Sequence, residues 1–188
     1  MGIIYASGRG VRQDYQKARE WWEKSAQQCY ADAQSALGQL YLLGTGVCQD
    51  YQKAREWLEK AARQDNAPAQ ALLGVMYLKG EGYGKDSKKA FEWIEKAALQ
   101  GHPYSQGVLG SMYLSGQGVS KDYRKAFEWC EKAAQNGLPI GQFGLGMIYE
   151  LGLGVRKNIS EAKEWYGKAC DNGDQKGCDA YARLNSGR

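Results

Sequence analysis

Ser160-Glu161-Ala162-Lys163 is the pattern in this chain closest to a reaction: a serine followed three residues later by a lysine, the spacing of serine acyl-transfer enzymes. No Ser-Asp-Asn or Lys-Thr-Gly accompanies it, and Ser160 stands where a helix begins, a place serine takes for helix initiation. His102 is the only histidine and sits beside Pro103 in a connector. A metal site needs further ligands at suitable spacing, and a nucleophile needs its base nearby. Neither constellation is visible, so His102 reads as a solvated loop residue. Five Gly-x-Gly elements, Gly8/Gly10, Gly44/Gly46, Gly80/Gly82, Gly116/Gly118 and Gly152/Gly154, offer backbone N–H groups of the kind that cradle phosphate. Each follows a helical pattern instead of a strand, and none extends to Gly-x-Gly-x-x-Gly. They read as turns. The residues thus predict no catalytic group, no metal, no cofactor and no enzyme.

The glycines belong to a longer repetition. Asp14, Asp50, Asp86, Asp122 and Asn158 are spaced 36 residues apart, as are Trp21, Trp57, Trp93, Trp129 and Trp165. A fixed period in this range means one helical unit stacked on copies of itself, each burying its apolar face on its neighbours. Residues 31–66 show the unit. Ala33, Leu37, Leu40, Tyr41 and Gly44 recur at steps of three and four, which predicts an amphipathic helix A from Ala31 to about Leu43. Gly44 is placed to end it in the left-handed conformation. Asp50 stands at the N-cap of helix B, whose buried stripe is Tyr51, Ala54, Trp57, Leu58, Ala61 and Ala62. The small residues let helix axes approach closely, and the Trp and Tyr rings are expected to fill the gaps between layers. Short connectors make neighbouring helices antiparallel.

The totals narrow the classes. Three prolines and 43% hydrophobic residues exclude a disordered or collagen-like chain of 188 residues. No apolar run approaches the roughly 18 residues that span a membrane. The net charge of +4 is spread over every repeat, without the basic stripe of a nucleic-acid binder. Met1-Gly2 aligns with Leu37-Gly38, so the chain opens inside a helix A; a leader with half a repeat upstream, or an uncapped start, both fit.

The phrase Ala67-x-Ala69-Gln70-x-x-Leu73-Gly74-x-Met76-Tyr77-x-x-Gly80-x-Gly82, then Asp86, Lys89-Ala90, Trp93 and Glu95-Lys96-Ala97-Ala98, closely resembles the Sel-1-like repeat, a relative of the tetratricopeptide repeat. The resemblance covers essentially the whole chain. It implies one domain over 1–188: a partial repeat at 1–30, full repeats at 31–66, 67–102, 103–138 and 139–174, and a terminal capping helix at 175–188. The implied fold is all-α, a right-handed superhelical solenoid of antiparallel helix pairs. The copies also depart from the pattern. Tyr83 and Ser87 replace Val and Tyr, and Gly167 replaces Glu, at roughly 1 kcal/mol of helix propensity.

Cys170 replaces the second alanine of the Ala-Ala pair, and Cys178 replaces the glutamine of the next Ala-Gln pair. This resembles the cysteine-rich bacterial branch of the family, in which a bridge at these positions ties one repeat to the next in exported proteins. The resemblance implies a disulfide between Cys170 and Cys178, on the order of 2–3 kcal/mol of stability, and a periplasmic or secreted protein. The alternative is two small buried thiols in a cytoplasmic protein, which the odd total of five cysteines supports. Cys29 and Cys48 should lie at opposite ends of one helix, roughly 20 Å apart. Cys130 occupies the position of Leu58, Ile94 and Tyr166 and reads as core.

Comparison of the copies separates scaffold from free positions. Ser35, Ala71, Gly107 and Phe143 are equivalent and vary, as do Gln39, Val75, Ser111 and Met147 four residues later on the same helical face. A third row, Leu42, Leu78, Leu114 and Glu150, continues it. In this class of superhelix helix A lines the concave side, so these rows are expected to floor a groove holding a segment of a partner protein or peptide. For any single position, packing against a neighbouring helix is an equal alternative. The chain therefore reads as a bacterial interaction adaptor with no nucleic-acid partner and no membrane insertion. The alternative implied by the cysteine-rich relatives is a cell-wall-fragment or β-lactam binder with at most weak hydrolase activity. A third reading is a scaffold that self-associates through its truncated N-terminal end.

Overall fold

The computed structural model describes residues 1–186, among which every regular element is a helix. Contacts divide the protein into two compact units, Met1–Asp86 and the residues from Ser87 onward. The first holds α1 (Gly2–Ser7), α2 (Tyr15–Gln27), α3 (Ala31–Leu43), α4 (Tyr51–Ala62) and α5 (Ala67–Lys79). The second holds α6 (Ser87–Leu99), α7 (Pro103–Ser115), α8 (Tyr123–Gln135), α9 (Pro139–Leu151), α10 (Ile159–Asp171) and α11 (Gln175–Asn185). Of the terminal segment expected at 175–188, Gly187 and Arg188 lie outside the described residues. Odd-numbered helices are helix A and even-numbered ones helix B.

Local chemistry sets the ends of these helices. The Asp50 carboxylate accepts the backbone N–H groups of Gln52 and Lys53 at 3.1 and 3.0 Å, and Asp122 and Asn158 do the same for α8 and α10. Each such cap is worth about 1 kcal/mol. Lysine binding in the same turn holds the Asp50 carboxyl below its usual range, the backbone hydrogen bond from Lys53 being the largest cause. The capping residue's own N–H donates back to the tyrosine carbonyl of the preceding helix A, Asp50 to Tyr41 at 2.9 Å and Asn158 to Tyr149 at 2.9 Å. Gly44 ends α3 with φ of 69°, a conformation that costs an L side chain.

The packing is built on alanine and glycine. Ala54, Ala61, Ala90, Ala97, Ala126, Ala133, Ala162 and Ala169, all in helices B, are fully buried. One larger residue per helix B, Leu58, Cys130 or Tyr166, rests on the glycine of its helix A; a Cβ added at Gly38 would stand 2.5 Å from Leu58 Cγ. Burying a leucine of this kind contributes about 1.5–3 kcal/mol.

The tryptophans behave differently from expectation. They stay half-buried at the rim of helix B, with Trp21 40% exposed, and a lysine one turn later covers each ring with its ammonium 4.0–5.5 Å from the ring centre. The inner side of Trp57 packs against Ala26, Ala33 and Leu37, and its outer side is left for the cation–π contact, worth roughly 0.5–1 kcal/mol.

Candidate functional site

In three copies the same hydrogen bond ties a helix B to the next helix A. Gln34 Nε2 donates to the Ala26 carbonyl at 3.2 Å, Gln70 to Ala62 at 3.3 Å and Gln106 to Ala98 at 3.5 Å. Cys178 and Cys170 occupy these same two positions in the last copy, and they form a disulfide with a Cα–Cα separation of 4.5 Å. A covalent bond therefore stands where three earlier copies have a hydrogen bond. Cys29 and Cys48 are exposed free thiols in connectors, and Cys130 is a buried one. Burial pushes the Cys130 thiol up to about 12, which makes it inert near neutral pH.

The segment between the two bonded cysteines borders a cavity of about 790 Å³ in the second unit. Its floor is Leu114 from α7 with Phe143 and Met147 from α9, and Leu151 at its margin is 58% exposed. Gly173, Asp174 and Lys176 form the wall on the α10–α11 side. Phe143 is held from behind by the Tyr166 ring, the centroids 5.4 Å apart. The cavity is an open trough with half-buried apolar residues along its base.

The variable positions divide between packing and surface. Within the second unit, Ser111, Phe143 and Met147 line this cavity, whereas Gly107 is buried beneath the Ile140 side chain. Within the first unit, Ser35 and Ala71 are buried, Val75 is half-buried, and Gln39 is exposed beside a smaller hollow of about 230 Å³ with Ala36 and Leu43. Burial leaves Ser35, Ala71 and Gly107 no area to offer a partner: their small side chains serve the approach of neighbouring helices. In the third row Glu150 points at Tyr166 and Arg183, and Leu42 is core.

Lys121, Lys176, Tyr104, Tyr123 and Leu153 also line the cavity. Alignment of copies had no means of finding them. They come from connectors and helix starts of different repeats, and alignment compares equivalent positions, not neighbours in space.

The candidate reactive residues are dispersed. Ser160 is exposed near the start of α10, its N–H donating to Asn158 Oδ1 at 3.1 Å, and among the described residues no hydrogen bond joins its Oγ to Lys163. His102 caps α7 instead of standing free in a loop. Its Nδ1 accepts the Ser105 N–H at 3.3 Å and lies 3.0 Å from Ser105 Oγ, while burial lowers its pKa. Among the described residues no group of three or more His, Cys, Asp or Glu is placed to hold a metal ion. Nor is any helix there long and apolar enough to cross a membrane.

Helix pairs repeated from copy to copy define an all-helical repeat protein of the solenoid class. The Sel1 repeat model matches residues 1–28, 31–66, 67–102, 103–138 and 139–174, and the chain belongs to the Sel1 repeat family. Sel1 repeat proteins are generally protein-interaction scaffolds and typically non-enzymatic. Among solved structures, c5321, a protective antigen present in uropathogenic Escherichia coli strains, is 36% identical over 97% of this chain, with a TM-score of 0.85. The chain spans 39% of that protein's length. A Sel1 repeat protein from Oxalobacter formigenes is 31% identical, with a TM-score of 0.88 over 97% of this chain and 73% of its own. Helicobacter pylori cysteine rich protein B is 28% identical, with a TM-score of 0.52 over 70% of this chain and 94% of its own. No curated protein matches the chain.

Proposed function

We propose that this chain is a bacterial interaction adaptor that holds a segment of a partner protein in the cavity lined by Ser111, Phe143 and Met147, and that it works in an oxidising compartment outside the cytoplasm. The observation that carries the reading is the cavity: about 790 Å³ of open trough floored by Leu, Phe and Met. Methionine and phenylalanine on such a floor adapt to varied apolar partners, and an exposed apolar depression on a folded domain marks an interaction site. The disulfide supports the compartment, because such bonds persist where thiols are not kept reduced.

The test is affinity capture from whole-cell extract with the wild-type chain and a Ser111→Glu/Met147→Glu variant whose circular dichroism matches it. A protein retained by the first and lost by the second establishes the adaptor. Identical retention by both sinks the cavity as the site.

A further inference from the structure

We propose that the cavity of the second unit selects an apolar partner segment carrying carboxylates, and that the loop closed by Cys170–Cys178 holds in place one of the two lysines that make the selection. This rests on the reading of that cavity as the binding site.

Three charged residues line the cavity: Lys121, Asp174 and Lys176. Asp174 is already engaged, its Oδ2 accepting the Gly177 N–H at 3.2 Å as the N-cap of α11. Lys121 and Lys176 have no ion pair among the described residues, and both are exposed. They reach the trough from separate elements, one from the α7–α8 connector and one from the first turn of α11. A ligand in the trough thus meets an apolar floor and two unpaired ammonium groups. Complementary charge raises encounter rate and penalises wrong partners, so acidic residues beside apolar anchors are favoured and basic ones rejected. The trough is open, with Tyr104 50% and Leu151 58% exposed at its margins. That form suits a length of chain lying across it more than a small molecule enclosed within it.

The wall residues Gly173, Asp174 and Lys176 all lie between the two bonded cysteines. Cross-linking Cys170 to Cys178 limits the conformations of this segment and sets the backbone of Lys176 before a ligand arrives. Ordering done in advance is not charged to binding.

The test uses a random peptide library displayed on phage, selected on the immobilised, oxidised chain and depleted on the Ser111→Glu/Met147→Glu variant. Enriched peptides are then synthesised and titrated by fluorescence polarisation. Apolar peptides rich in Asp and Glu are expected. They should bind a Lys121→Glu/Lys176→Glu variant roughly tenfold more weakly or worse, and bind the phosphine-reduced wild type several-fold more weakly. Both lysines are exposed, so their reversal leaves the fold intact, as circular dichroism will check. Neutral or basic consensus peptides, or equal affinity for the charge-reversed variant, overturn the charge selection while leaving the cavity as the site. Unchanged affinity after reduction overturns the role of the wall. If no peptide distinguishes the depletion variant, the cavity reading itself fails.

Discussion

The Tyr166 hydroxyl donates to Glu150 Oε2 at 2.7 Å, and neither residue type occurs at its position in the earlier repeats. Position 150 is Leu in the three preceding copies, and position 166 is Leu, Ile and then Cys. Tyr166 is 1% exposed, so its hydroxyl must find a partner inside the protein. Glu150 supplies it and also binds Arg183 of α11 at 2.7 Å. Burial and then the carboxylate drive the Tyr166 phenol far above its usual range. The pair backs the cavity through Phe143 and fastens α11 at a second point beyond the disulfide.

Glu150→Leu restores the residue of the other repeats and yet should destabilise the protein by roughly 1–3 kcal/mol, because it strands a buried hydroxyl. Adding Tyr166→Phe removes the stranded group and should recover much of the loss. Urea unfolding of the wild type, both single variants and the double variant measures this coupling. Purely additive losses would show the hydrogen bond to be inconsequential.

Thiol reactivity should follow burial. Two of the three free cysteines, Cys29 and Cys48, are exposed, while Cys130 is buried with its thiol pushed up to about 12. A chromogenic disulfide reagent should therefore titrate two thiols in the native protein and three after denaturation, with all five appearing only after reduction. Rapid reaction of a third native thiol would place Cys130 at the surface.

His102 makes the start of α7 sensitive to acid. As a cap its Nδ1 must be unprotonated, and protonation would also set a cation at the positive end of the helix. Its folded pKa lies below the ordinary 6.5, so the unfolded chain binds the proton more readily. This contribution to stability is complete above pH 6.5 and is lost as pH falls through the lowered folded value. His102→Asn copies Asn66, which caps α5 by accepting the Ala69 N–H at 3.0 Å. That variant should keep the cap and flatten the pH dependence between neutral and mildly acidic conditions. His102→Ala should cost about 0.5–2 kcal/mol at pH 8. Thermal melts across the pH range decide between them.

The disulfide and the glutamine tie should be interchangeable in kind and unequal in strength. Cys170→Ser/Cys178→Ser should lose about 2–3 kcal/mol, the usual effect of opening a short loop. Cys170→Ala/Cys178→Gln rebuilds the hydrogen bond that Gln34, Gln70 and Gln106 make, and should recover about 1 kcal/mol of that. Hydrogen exchange should show the change concentrated in α11, which is anchored by these residues. Loss spread evenly through the second unit would contradict a local role.

Much of the fold was legible in the residues because its determinants are local. Asp50 caps α4 through N–H groups two and three residues away, and Gly44 ends α3 by its own φ, so period and composition suffice to place both. The Cys170–Cys178 bridge was implied by the resemblance to the cysteine-rich branch, and it falls on two positions that the repeat brings together.

Which variable positions remain open was decided by tertiary structure. Gly107 and Ser111 are four residues apart on one helix, yet Ile140 covers the first and the cavity opens on the second. The tryptophans had the size of core residues and are buried on one side only, as Trp57 is against Ala26, Ala33 and Leu37. Lys121 and Lys176 line one cavity without sharing any pattern of spacing. A helix end answers to atoms within one turn of the chain. The exposure of a side chain answers to whatever a neighbouring repeat lays across it, and that depends on contacts between residues far apart in sequence.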